Sequence, residues 1–199
     1  MTTQLTWDVA RAGGFVAWGL AAASVVWGLA ISTRIARTRP WPAWLLDLHR
    51  FLGGAAVMFV VVHVVAILAD SYTSIGLTNV LVPLTGTWHP LAVVWGIVAF
   101  YALLAVELTS LARSRLSLRV WRRVHLASFV VFVTSTIHAL TAGTDARSAP
   151  FLDVMIGVSS VVLALALVRI TRYRPSARVA RAATPYAVSV PSRPDVPAS

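Results

Sequence analysis

The chain has 199 residues, of which 58% are hydrophobic and only 12% charged; with a mean hydropathy of +0.77, it carries more apolar surface than one soluble core of this size can hide. All seventeen basic residues are arginine and the net charge is +10, but the arginines fall between apolar runs, a pattern of membrane topology rather than of nucleic-acid binding. The absence of cysteine excludes disulfides, iron–sulfur clusters and thiolate metal ligands, so redox chemistry in this chain requires a bound cofactor.

In chain order, the first apolar run follows MTTQLTWDVARAGG, which lacks the basic start of a cleaved leader and precedes a run longer than a leader core, so a retained helix is expected. Five segments are long enough to cross about 30 Å of hydrocarbon at 1.5 Å per residue: 12–33, 48–70, 91–112, 124–141 and 154–170. The fourth and fifth are short at their cores, with flanks able to extend them. The fold class expected is an all-α integral membrane bundle.

Short loops rich in arginine stay on the cytoplasmic side. Arg34, Arg37, Arg39 and Arg50 surround the first connection, and Arg113, Arg115, Arg119, Arg122 and Arg123 the third. Arg169, Arg172, Arg174, Arg178, Arg181 and Arg193 follow the fifth helix, whereas the opposite side has only Arg11 and Arg147. This distribution places the N-terminus outside and the C-terminus in the cytoplasm. The connection 71–90 holds Gly76, Pro83, Gly86 and Pro90 among apolar residues and is expected to fold over the outer face. Residues 173–199, rich in Pro, Ser, Ala and Arg without helical periodicity, read as a disordered cytoplasmic tail too short for a flavin or nicotinamide domain. Trp7, Trp41, Trp44, Trp88 and Trp121 sit at helix ends as interfacial anchors do, while Trp18, Trp27 and Trp95 lie deeper and read as lipid contact or packing.

Histidine inside a membrane helix needs a partner and marks a functional site. The second helix carries His49 and His63, with thirteen residues between them. The fourth carries His125 and His138, with twelve between. Both helices run in the same direction, so the four rings form an inner pair, His49 with His125, and an outer pair, His63 with His138, separated by about 20 Å along the membrane normal. Two neutral imidazoles from facing helices hold haem iron from both sides, and two haems stacked this way form an electron path across the membrane.

Helical phase tests this pairing. At about 100° per residue, His49 and His63 lie about 40° apart on one face, but His125 and His138 lie about 140° apart on a straight helix. A bend is therefore expected, and Thr134, Ser135 and Thr136 are the residues whose hydroxyls can bond back to carbonyls and produce it. Gly53 and Gly54, about one turn after His49, allow either close approach of a flat macrocycle or helix packing through small residues.

On these residues the chain resembles the ferric reductase-like transmembrane domain family, which includes the membrane parts of ferric reductases and NADPH oxidases and the haem subunit of a bacterial methionine sulfoxide reductase system. The unequal His49-x13-His63 and His125-x12-His138 spacings carry the likeness, over residues 10 to 172. The resemblance implies a ferric reductase-like haem-binding domain over residues 1–172, with two haems b, and electron transfer from a cytoplasmic flavin donor to an acceptor outside. Many members have six helices and some carry fused flavin domains. With five helices and no FAD or NAD(P) domain read here, the donor expected is a separate flavoprotein reductase or a quinol. The outer acceptor is ferric iron, a small molecule or a partner oxidoreductase.

Arg50, Arg122 and Arg123 are candidates for the propionates of the inner haem, because guanidinium matches carboxylate geometry, although the positive-inside rule also explains them. Arg147, Tyr72 and Thr144 are the outer counterparts. His89 lies at the outer end of the third helix and reads as a loop residue or an acceptor contact. Glu107, the one acid well inside a span, either snorkels toward the arginines or relays protons to a quinol. Competing readings are a quinone-linked cytochrome b subunit of a larger complex and a haem-free membrane scaffold or transporter.

Overall fold

The computed structural model describes residues 2–33, 43–70 and 75–172 and is helical almost throughout. The elements are α1 (Thr2–Thr33), α2 (Ala43–Ala69), α3 (Leu77–Leu81), α4 (Pro90–Leu111), a 3-10 turn (Arg113–Arg115), α5 (Leu118–His125), α6 (Ser128–Ala142) and α7 (Ala149–Arg172). Five spans are long and apolar enough to cross a membrane, α5 and α6 together forming the fourth. The chain is thus an all-α, multi-pass integral membrane protein, as its composition requires. The helices start earlier than the hydropathy runs, because polar residues such as Asp8, Arg11 and Asp47 continue a helix beyond the hydrocarbon without interrupting it. The 173–199 tail, Arg34, Arg37, Arg39, Trp41 and Tyr72 lie outside the described residues.

Side chains such as Phe51, Met58, Leu91, Leu111 and Ile170 are more than 60% exposed, which is the surface expected of helices solvated by lipid rather than water. The buried cluster lies on one side of α1, where Trp18, Ala22, Val25 and Leu29 meet Phe132 of α6 and Met155 and Val162 of α7. Trp18 anchors it, stacking on Phe132 at 6.3 Å and donating its indole N–H to Thr136 Oγ1 at 2.9 Å. Trp27 likewise donates to the carbonyl of Leu45 at 3.0 Å, so the deep tryptophans Trp18 and Trp27 do pack.

The other face of α1 packs along the whole of α2, and α4 packs along α6, whereas α2 and α6 stand apart. The bundle therefore has two tightly packed antiparallel pairs with a slot between them, and the second and fourth spans face each other across it. Connection 75–90 folds back over one end of the slot: Ile75, Val80 and Trp88 line the cavity there, Trp88 meets Trp7 edge-to-face at 6.2 Å, and Tyr101 donates to the carbonyl of Leu81.

The fourth span is distorted, but not where the hydroxyls stand. Thr134, Ser135 and Thr136 each donate to a carbonyl three or four residues back, and α6 runs through them without a break. The interruption falls at Leu126 and Ala127, where the amides of Ala127 and Phe129 bond three residues back, to Val124 and Leu126. A 3-10 turn advances about 120° per residue instead of about 100°. The overwinding acts in the sense that closes the gap in phase between His125 and His138.

Because one indole joins three spans, Trp18→Ala is expected to cost about 3–5 kcal/mol, as for large aromatic cores, and Trp18→Phe much less. Thermal unfolding of the purified protein in detergent, compared between the two variants, measures the difference.

Candidate functional site

The four histidines come together in the two pairs expected from their spacing. His49 and His125 have ring centroids 5.9 Å apart with planes at 72°, and His63 and His138 have centroids 6.3 Å apart with planes at 80°. Imidazole nitrogen holds a metal at about 2 Å and sits about 1 Å from its ring centre, so two imidazoles on one ion have centroids about 6 Å apart. Both pairs have that separation.

Second nitrogens show how the rings are aimed. His63 Nδ1 bonds to the carbonyl of Ala10 at 2.6 Å, and His138 Nδ1 to that of Ala92 at 2.8 Å. His49 Nδ1 lies 3.1 Å from the carbonyl of Ser24 and 3.2 Å from its hydroxyl. A ring whose Nδ1–H donates to a carbonyl presents a neutral Nε2 with a free lone pair, the tautomer and the orientation that metal ligation requires.

Each of these three carbonyls belongs to a residue four positions before a glycine. A Cβ placed on Gly14 would stand 2.8 Å from His63 Nδ1, one on Gly28 3.1 Å from His49 Cε1, and one on Gly96 2.9 Å from His138 Cε1. The carbonyl of residue i points toward residue i+4, so a ring reaching it must cross the backbone there, and only glycine leaves room. The step from Gly14 to Gly28 on α1 equals the step from His49 to His63 on antiparallel α2, so the same contact is made twice along one helix pair. The sequence marks α1 as a membrane span but not as a support for the histidines, although this matched glycine spacing was the available signal.

A Cβ on Gly53 would strike the carboxylate of Glu107, which reaches it from α4, while Gly54 has open space around it. Gly53 thus makes room for the Glu107 side chain between α2 and α4. Glu107 points its carboxylate at α2 instead of extending only toward the interface.

His125 differs from the other three. Its Nδ1 is buried and has no hydrogen-bond partner among the described residues. His125 stacks instead on Trp121, with centroids 4.9 Å apart and planes 22° from parallel.

A cavity of about 760 Å³ surrounds the outer pair, lined by His63, His138, Gly14, Gly96, Phe100 and Arg11 among others. Arg11 is ion-paired with Asp145 and Asp8, and its buried Nε has no hydrogen-bond partner among the described residues. Arg147 is exposed and lines none of this cavity, whereas Thr144 does. His89 takes a left-handed backbone, φ 38°, at the start of α4, and its ring lies against Trp88 outside the cavity. At the other end, Arg50, Arg122 and Arg123 are exposed, and Arg50 pairs with Asp47 at 3.5 Å. Among the described residues, no group of three or more His, Cys, Asp or Glu could hold a bare metal ion.

A helical membrane bundle with two facing imidazole pairs in an interhelical slot has the architecture of a membrane electron-transfer component. The chain belongs to the family described as ferric reductase like transmembrane component, whose model matches residues 13–136, more than half of the chain. That match includes α1 from Gly13 and three of the four histidines, and ends two residues before His138. No curated protein and no solved structure matches the chain.

Gly14→Val and Gly96→Val are expected to displace the His63 and His138 rings and to lower the thermal stability of the protein in detergent, while Gly54→Ala leaves it unchanged. Thermal unfolding of the three variants, measured in parallel with the wild type, gives the comparison.

Proposed function

We propose that this protein is a di-haem b-type cytochrome that moves electrons through the membrane, with His49 and His125 as axial ligands of an inner haem and His63 and His138 of an outer one. The observation that carries this reading is the pair of imidazole couples at ligand spacing, three of their four rings locked by main-chain carbonyls. A two-imidazole donor set is too small for a bare ion but suits an iron whose four equatorial positions are already filled by a porphyrin. Family membership supports it, since ferric reductase-like domains bind haem in general.

Bound haem supplies reversible one-electron iron chemistry. The chain's own residues hold the rings, exclude water with apolar walls such as Phe100, Ile97 and Leu103, and receive the propionates. Arg11, with an unsatisfied buried N–H beside the outer cavity, is the outer propionate donor in this reading. Arg50, Arg122 and Arg123 take that role at the inner level; the Arg50–Asp47 pair is exposed on both sides and holds Arg50 only weakly.

The arginine distribution supports an N-terminus outside, which makes the arginine-rich end the electron entry. The donor is a cytoplasmic flavoprotein reductase, in keeping with the usual partners of this family, or a quinol. The acceptor outside is ferric iron, a small molecule or a partner oxidoreductase.

Haem quantitation should give two per chain, with a b-type reduced-minus-oxidised spectrum. His63→Ala and His138→Ala should each remove one haem and leave the other; absence of haem from the wild type, or equal loss of both haems, would overturn the proposal. Reduction by a quinol analogue but not by reduced flavin would identify the donor as quinol.

Orientation has its own test, made simple by a chain without cysteine. Thr144→Cys should react with an impermeant maleimide on intact cells and Arg115→Cys only after lysis; the reverse pattern would invert the direction of transfer.

A further inference from the structure

The two pairs of rings are alike in spacing and unlike in support. Both outer rings have Nδ1 within 2.8 Å of a main-chain carbonyl. At the inner level, His49 shares its Nδ1 between two acceptors at 3.1 and 3.2 Å, and His125 has none among the described residues. His125 is followed directly by the break at Leu126 and Ala127, so α6 does not hold it by continuous helix.

What does hold the ring is Trp121, one turn earlier on α5, stacked on it at 4.9 Å. Trp121 is itself covered by Arg113, whose guanidinium carbon lies 5.0 Å from the indole ring, a cation–π contact that fixes the indole. Among the described residues the Trp121 N–H has no acceptor, and ring contacts place it.

Resting on the di-haem reading, we propose that Trp121 is the positioning residue for His125, replacing by stacking the carbonyl that aims the other three ligands, and that the inner site is therefore the higher-potential one. The physical link is ligand basicity. An imidazole that donates Nδ1–H to a carbonyl is a stronger donor through Nε2 and favours ferric over ferrous iron. Both outer ligands are strengthened this way; at the inner site one is weakly strengthened and the other not at all. The net positive charge of Arg50, Arg113, Arg122 and Arg123 at that end acts in the same direction, since it favours the more reduced centre.

The test is a potentiometric titration of the purified holoprotein, followed by optical and electron paramagnetic resonance spectra, on the wild type, Trp121→Phe, Trp121→Ala and His63→Ala. Two potentials are expected in the wild type, with His63→Ala retaining the higher. Trp121→Ala should lose or shift the higher-potential component and alter its low-spin ferric signal, leaving the lower-potential component as it was. Trp121→Phe, which keeps a stacking ring and removes the N–H, should behave as the wild type. One potential for both haems in the wild type, retention of the lower component in His63→Ala, or a Trp121→Phe variant matching Trp121→Ala would overturn the inference. Wild-type protein without haem would instead overturn the reading on which it rests.

Discussion

A polar ring inside hydrocarbon must find partners for both of its nitrogens, and the main chain of a neighbouring helix offers the only abundant ones. A helical carbonyl already accepts one hydrogen bond, from the amide four residues on, but retains a second lone pair. To reach it, the ring must lie over the residue at that fourth position. From this constraint follow the glycines at 14, 28 and 96, the close packing of α1 on α2 and of α4 on α6, and the slot left between the two helix pairs. Helix pairing and ring aiming are thus one interaction. α1 carries no histidine of its own, yet it supplies two of the three carbonyls that orient the rings.

Much of this was legible in the amino-acid sequence, for reasons that differ from element to element. The five spans were visible because lipid tolerates only long apolar helices, and their number survives any disagreement about ends. The couples were visible because histidine is costly in a membrane and because spacings of fourteen and thirteen residues place the rings at matched heights. The role of α1 was not, since glycine in a membrane helix ordinarily signals small-residue packing and nothing in a single helix marks a carbonyl as an acceptor. Arg11 was counted as a topological charge. Its partner Asp145 lies 134 positions away, a separation that no local pattern bridges.

The fourth span shows where residue type stops being informative. Phase analysis correctly required a departure from straight α-helix, but hydroxyls that bond back to their own carbonyls left α6 intact. The departure lies in a stretch reading Leu126 and Ala127, with no glycine, proline or hydroxyl residue to mark it. Its cause is tertiary: His138 is fixed by Ala92 and Gly96, His125 faces His49, and the intervening turn absorbs the mismatch.

The separation of the couples along α2, about 21 Å at 1.5 Å per residue, has an electrical consequence. A full hydrocarbon layer is about 30 Å thick, so in the proposed reading a charge passing between the two levels crosses roughly two-thirds of it. Moving one elementary charge across the whole layer involves about 2.3 kcal/mol for every 100 mV of membrane voltage. With the interior negative, an electron travelling outward runs with that field, and the voltage offsets an inner site of higher potential. In that reading the distance between His49 and His63 makes the cell's own voltage part of the driving force: electron flow through the bundle is then electrogenic, and slows when the membrane depolarises.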